Sequence, residues 1–262
     1  MTSTLIRRAG VFALIAATTT TLTGCGGVIG AKMTYNDVEK AKITDIVLTG
    51  GMGDVAIATG PVTETSITRV IRRSSNPGES YRLDGTVLTI DTSCGLDSCS
   101  VSYLIKAPAG VKVRGVQHSG DVKLDGVADA DIEVASGDLT VTGATGPVQI
   151  RSRSGDIRVL DAKKSVKVQG TSGDIQILDA AGPVDAKLTS GDLTVQLSAP
   201  GSVTASATSG DLRVLVPDGQ YKVNASAASG DARVVGLTSD PAAKNVIDAR
   251  VMSGDVTVAS GS

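Results

Sequence analysis

The chain has 262 residues, 41% of them hydrophobic, enough for one sizeable core, yet it holds no Trp and a single Phe, Phe12. Such a core must be assembled from Val, Ile, Leu and Ala, which suit thin regular layers better than a bulky globular interior. A formal net charge of −2 provides no basic face to displace counterions from a phosphate backbone, and this excludes nucleic acid as a partner.

Residues 1–24 read as an export signal. Arg7 and Arg8 give a positive start, residues 9–17 (AGVFALIAA) are apolar but too few to span a bilayer, and a Thr-rich run leads into Leu22-Thr23-Gly24-Cys25. That tetrapeptide resembles the lipobox of bacterial lipoproteins. The resemblance implies cleavage after Gly24 and diacylation of Cys25, which places the mature chain on the extracytoplasmic side of a bacterial membrane. A plain secretory signal with an incidental Cys is the bland alternative, and Sec and twin-arginine export both stay open. Residues 25–42 read as the lipidated Cys and a polar, Gly-containing tether.

From Ile43 onward the pattern is β throughout, without helical spacing, so residues 43–262 are expected to form one all-β domain. Its first part, residues 43–118, is irregular. Once Cys25 is lipidated, Cys94 and Cys99 remain as an even pair in CGLDSC, and an oxidising compartment favours a disulfide between them. Closing so short a loop is worth about 2 kcal/mol, enough to pin a turn. Neither a third nor a fourth Cys or His sits nearby, so no metal site is assigned there.

Over residues 119–262 one tripeptide recurs. It occurs as Ser119-Gly120-Asp121, Ser136-Gly137-Asp138, Ser154-Gly155-Asp156, Ser172-Gly173-Asp174, Ser190-Gly191-Asp192, Ser209-Gly210-Asp211, Ser229-Gly230-Asp231 and Ser253-Gly254-Asp255, at steps of 17, 18, 18, 18, 19, 20 and 24 residues. A near-constant period of this length predicts a parallel β-solenoid with coils of about 18–20 residues. Met52-Gly53-Asp54 looks like a degenerate earlier copy. Apolar or small residues alternate on both sides of each copy, as in Val148, Ile150, Ser152 and Ser154 before it and Ile157 and Val159 after. The tripeptide therefore reads as an architectural corner, with Ser facing in, Gly resetting the phase at positive φ, and Asp facing out to accept hydrogen bonds from its turn. The functional rival is a calcium ladder, but one Asp per coil supplies too few oxygens unless coils share an ion. Weak calcium binding is the one cofactor reading left, and no other cofactor is expected.

The repeated "SGD" followed by apolar-x-apolar, as in SGDIRVL, SGDIQIL and SGDLTVQL, together with the stretch VSYLIKAPAGVKVRGVQHSGDVKL, is similar to the bacterial putative-adhesin family, a domain of unknown function. The resemblance covers most of the mature chain. It implies a parallel β-solenoid, an envelope location and an adhesive or envelope-stress role, and it brings no catalytic residues.

An enzyme on a β-helix needs acid and base groups gathered on one face, with aromatic or basic residues to hold sugar rings. Here acidic residues recur at equivalent corners, residues 119–262 contain one aromatic, Tyr221, and the lone His, His118, sits on the parity opposite the core. No catalytic site is assigned. An ice-binding Thr array fails because Arg158, Gln176 and Arg213 interrupt the column begun by Thr140. The expected function is a lipid-anchored, non-enzymatic surface protein for adhesion or envelope interactions with a protein or glycan ligand. An accessory role in an envelope-stress system and a carbohydrate-active β-helix enzyme stand as alternatives. Two places are expected to carry partners: an excursion over residues 239–245 projecting from the wall, and the open solenoid end left by a chain that stops after a strand at residues 256–259, where self-association would occur.

Overall fold

The computed structural model describes residues 32–72, 80–93 and 100–261, and among these every regular element is a strand. The chain enters as β1 (Lys32–Glu39), β2 (Asp45–Gly51), β3 (Val55–Gly60), β4 (Thr65–Arg72), β5 (Tyr81–Asp84), β6 (Val87–Thr92) and β7 (Ser100–Pro108). Regular coils follow, each a strand of one sheet, a Ser-Gly-Asp corner and a strand of the other. They are β8 (Lys112–Ser119) with β9 (Val122–Asp125), β10 (Ala130–Ser136) with β11 (Leu139–Thr142), β12 (Val148–Ser154) with β13 (Ile157–Leu160), and β14 (Val166–Ser172) with β15 (Ile175–Ala180). Then come β16 (Val184–Ser190) with β17 (Leu193–Leu197), β18 (Val203–Ser209) with β19 (Leu212–Val216), β20 (Tyr221–Ser229) with β21 (Ala232–Val235), and β22 (Asn245–Ser253) with β23 (Val256–Ser260).

The even strands from β8 onward lie in an 11-stranded sheet and the odd ones from β9 onward in a 12-stranded sheet. The two sheets face each other over one core of Val, Ile, Leu and Ala, built from the period-2 alternation: Val148 and Ile150 are buried, while Gln149 and Arg151 between them face out. The fold is the parallel β-solenoid expected. The second corner of four successive coils, which the tripeptide repeat alone does not reveal, also has a signature. A left-handed residue there (Gly126, Gly143, Asp161 or Asp179) precedes a buried small one (Val127, Ala144, Ala162 or Ala180).

Three expectations need correction. Lys32–Glu39, expected within the tether, is a strand paired antiparallel with β4 along its whole length. Its burial alternates strictly, so parity carries Asp37 inward with Met33 and Tyr35, where it meets Arg69 at 3.0 Å, and leaves Val38 exposed. Secondly, coil order in space departs from coil order in sequence at both ends. β2 and β3 lie between β6–β7 and β8–β9, and β22–β23 is inserted between β18–β19 and β20–β21. The open end is therefore β20–β21, and the final strand at residues 256–260 is flanked on both sides. Thirdly, residues 239–245, expected as an excursion, are tied at their start to β20, where Ser239 Oγ accepts the Val223 N–H at 3.0 Å. They belong to the crossover from β21 back to β22, with Ser239 bridged to Tyr221.

Side-chain columns explain the inversion at the C-terminal end. In the order observed, the outward column reads Lys123, Thr140, Arg158, Gln176, Thr194, Arg213, Thr257 and Arg233, with a neutral rung next to each cation. Sequence order would set Arg213 directly against Arg233. Two like charges at strand spacing repel by about 1 kcal/mol in water. Insertion also buries the better apolar set, Ile247, Val251, Val256 and Val258, and leaves the Ala-rich β20 outermost.

Replacing Thr257 with Arg should thus align three guanidinium groups and cost about 1 kcal/mol at low ionic strength. Thermal denaturation at low and high salt checks this, with most of the loss recovered at high salt.

Candidate functional site

Most of the expected site residues lie at the Ser-Gly-Asp corners. At Gly155, φ is 113°, and a Cβ there would lie 2.1 Å from the Gly137 carbonyl oxygen of the coil below. Gly is required both for its positive φ and for this approach. The same contact recurs from Gly120 to Gly254, following the order of coils in space.

The Asp residues form a continuous ladder. The backbone N–H of Asp138 donates to Asp121 Oδ1 at 3.0 Å, that of Asp156 to Asp138 at 2.9 Å, that of Asp174 to Asp156 at 3.0 Å, and that of Asp192 to Asp174 at 2.9 Å. It continues through Asp211, Asp255 and Asp231, each at 2.9 Å. At the other end Asp121 N–H donates to Asp54 Oδ1 at 3.2 Å, and Asp54 N–H to Ser102 Oγ at 3.1 Å. Asp54 is accordingly a rung of the ladder, although Gly53 beside it lacks the positive φ of the later corners and approaches the Val101 carbonyl. One oxygen of each carboxylate is committed to the neighbouring coil from Asp54 to Asp255. Among the described residues no three acidic, His or Cys side chains converge as an ion site.

The corner Ser residues correct the expected orientation. Ser136, Ser154, Ser172, Ser190, Ser209, Ser229 and Ser253 are exposed and Ser119 is half-buried, whereas Val134, Ser152, Leu188 and Ala207 two positions earlier are buried. The phase changes before the Gly: two consecutive residues, Arg153 and Ser154 or Thr171 and Ser172, point outward. Ladder pairing skips the residue between, as in Val134↔Ser152 followed by Ser136↔Ser154. Each strand is bent there like a β-bulge.

Repeated coil after coil, that bend hollows the outer face of the 11-stranded sheet into a trough parallel to the solenoid axis. Its main hollow, about 540 Å3, has the Glu133, Arg151, Gln169, Lys187 and Ser206 column on one side and Arg153, Thr171, Thr189 and Thr208 on the other. Hollows of about 460 Å3 toward Arg250 and Met252 and about 300 Å3 toward Arg114 and Asp131 prolong it. The three together are lined by five basic side chains (Arg114, Arg151, Arg153, Lys187 and Arg250) and two carboxylates (Asp131 and Glu133), on a chain whose net charge is negative. Arg151 leans on Asp131 at 3.7 Å and Arg250 on Asp248 at 2.6 Å. The main hollow contains one carboxylate, Glu133, so it lacks the paired acids of sugar hydrolysis. Simple alternation, which carries the corner Ser inside, removes the bend and with it any sign of the trough in the sequence.

His118 is exposed, as parity predicts. Its Nδ1 accepts the Gly51 N–H at 3.2 Å, a backbone tie. Gln117 beside it is buried and holds the first corner, its Nε2 donating to the Gly53 carbonyl at 2.7 Å and the Ser119 carbonyl at 2.6 Å. At the N-terminal end, Arg69 stands 5.2 Å from the Tyr35 ring centre and 5.0 Å from that of Tyr81. Burial, with Asp37 and Glu39 nearby, pushes the Tyr81 hydroxyl well up, and burial pushes Tyr103 up to about 12. With Arg69 paired to Asp37 and Tyr81 donating to Glu39 at 3.1 Å, this cluster is packed and internally satisfied. Cys25, Cys94 and Cys99 lie outside the described residues.

The family model described as Toastrack DUF4097 matches residues 31–180 and, in a second overlapping match, 111–259. No curated protein matches. Among solved structures, a putative adhesin from Bacteroides fragilis NCTC 9343 is similar with a TM-score of 0.51 at 14% identity, covering 90% of this chain and 100% of that one. A putative adhesin from Parabacteroides distasonis ATCC 8503 gives 0.46 at 13% identity, covering 88% and 98%. At such identities the first likeness speaks for the fold alone.

Asp174→Ala should cost about 1 kcal/mol by stranding the Asp192 N–H, whereas Asp174→Asn, which keeps an acceptor oxygen, should stay within about 0.5 kcal/mol of the parent. Chemical denaturation of both variants checks it; equal losses would mean that carboxylate charge, not the ladder, matters.

Proposed function

The chain belongs to the Toastrack DUF4097 family, and we propose that it is a lipid-anchored, non-enzymatic surface protein whose trough holds an extended anionic polymer. The supporting observation is the trough itself: basic side chains and hydroxyls at successive rungs, about 4.8 Å apart, along an open channel without a closed pocket. A polymer chain lying across the coils meets Arg151, Lys187 and Arg250 on one wall and Arg153 with the Thr column on the other. Guanidinium groups pair with carboxylate or phosphate in a bidentate fork, and Thr hydroxyls suit sugar or polyol oxygens. Acidic glycans and polyol phosphates of a bacterial envelope share this chemistry. The adhesin descriptions of the structural neighbours agree with a surface role. Anchoring follows from Leu22-Thr23-Gly24-Cys25, with the acyl chains on Cys25 supplying the membrane affinity.

Two measurements test this. The mature chain should bind a polyuronate or a polyol phosphate and ignore neutral dextran, and the affinity should fall with added salt. Arg151→Glu combined with Arg153→Glu and Lys187→Glu should weaken that binding at least tenfold without loss of fold; unchanged binding would refute the trough. In the producing cell, Cys25→Ala should move the protein from the membrane fraction to the soluble one.

A further inference from the structure

The two ends of the solenoid are built differently. At the N-terminal end the edge strands β1 and β5 are joined antiparallel to their neighbours and carry Lys32, Asp37, Glu39, Arg82 and Asp84. At the far end β20 and β21 are parallel to the strands beneath them, carry only Lys222 and Arg233, and leave apolar side chains without a covering coil. Val234 and Val235 are 45% and 55% exposed, and Val223, Ala225 and Ala227 are half-exposed on the inward face of β20. Arg233 is neutralised at 2.7 Å by Asp231, the last rung of the ladder.

The free backbone groups on β20 can be specified. Along a strand the N–H and C=O of one residue share a side and alternate with the next, so Tyr221, Val223, Ala225 and Ala227 present theirs to the open edge. The Tyr221 carbonyl accepts from Asp240 N–H at 2.9 Å, and Val223 N–H donates to Ser239 Oγ at 3.0 Å. Nothing among the described residues meets those of Ala225 and Ala227. Lys32, the first described residue, lies in β1 at the opposite edge of the twelve-stranded sheet, which puts β21 about 50 Å away from it.

We propose that this end docks the same end of a second copy. A two-fold rotation sets each β20–β21 edge antiparallel to an edge of its mate, so the Ala225 and Ala227 groups gain partners and the half-covered apolar layer becomes one core running through both molecules. The N-terminal end is a poorer mate because its charged edge strands would be desolvated. Dimers formed this way are closed, with the two N-terminal ends at opposite extremes of the assembly. This proposal is independent of the trough and of the lipoprotein reading.

Sedimentation of the mature chain carrying Cys25→Ala, at concentrations up to about 1 mM, tests it. The expected result is a monomer–dimer equilibrium that stops at two. Ala227→Pro removes an edge N–H that the intramolecular ladder does not use, and Val235→Lys adds a charge at an exposed position. Each should shift dissociation at least tenfold toward monomer with an unchanged circular dichroism spectrum. A monomer throughout, a polymer growing without limit, or a dimer insensitive to both substitutions would each overturn the proposal. Failure here leaves polymer binding in the trough intact, and loss of trough binding leaves the dimer intact.

Discussion

Everything in this molecule depends on one approach: the Gly of each corner lies so close to the Gly carbonyl of the coil below that no side chain fits between them. That contact sets the stacking distance, and the Asp beside it ties the two coils with a backbone N–H. The carboxylates stand in line at strand spacing, an arrangement that costs repulsion in water. Each except the terminal Asp231 is offset by the N–H it accepts, and Asp156 and Asp231 also by Arg158 and Arg233. A line of like charges thereby becomes a seam.

Because every rung of the seam is chemically the same, it cannot specify which coil follows which. Ser209 pairs with Ser253 in the same register that Ser190 keeps with Ser209. The choice falls to the columns on either side, where Thr257 separates Arg213 from Arg233 and Ile247 and Val251 outcompete Ala225 and Ala227 for the covered slot. Coil order is thus an energetic outcome, with the least apolar coil left at the end.

This division explains what could be read from the sequence. Period, corner, Gly conformation and outward Asp are local properties, dictated by positive φ and turn chemistry, and were legible from residues such as Ser154-Gly155-Asp156. Slot exchange was not, since it turns on differences of about 1 kcal/mol between distant coils that share a motif. Nor was β1, whose apolar alternation is broken by Asp37 facing in and Val38 facing out, a pattern understood only with Arg69 in place. The trough escaped because simple alternation carries Ser154 inward after Ser152, whereas the strand bends between them.

The charge pattern around the trough is where packing ceases to be a sufficient account. In the column that starts at Asp131, the sequence Gln149, Lys167, Asp185, Thr204 and Asp248 alternates or neutralises charge, with Lys167 and Asp185 at 3.9 Å. One residue pair along the same strands, the column Arg151, Gln169, Lys187, Ser206 and Arg250 carries no carboxylate beyond Glu133 at its head. Neutral spacers keep its cations apart, so the rule against adjacent like charges still holds there. What differs is that its paired anions stand outside the column, Asp131 beside Arg151 and Asp248 beside Arg250, on a chain whose net charge is negative. Arg151 and Arg250 are thus met from the neighbouring column, whereas Lys187 and, across the trough, Arg153 have no ion pair among the described residues, and an anionic chain laid along the trough would supply one.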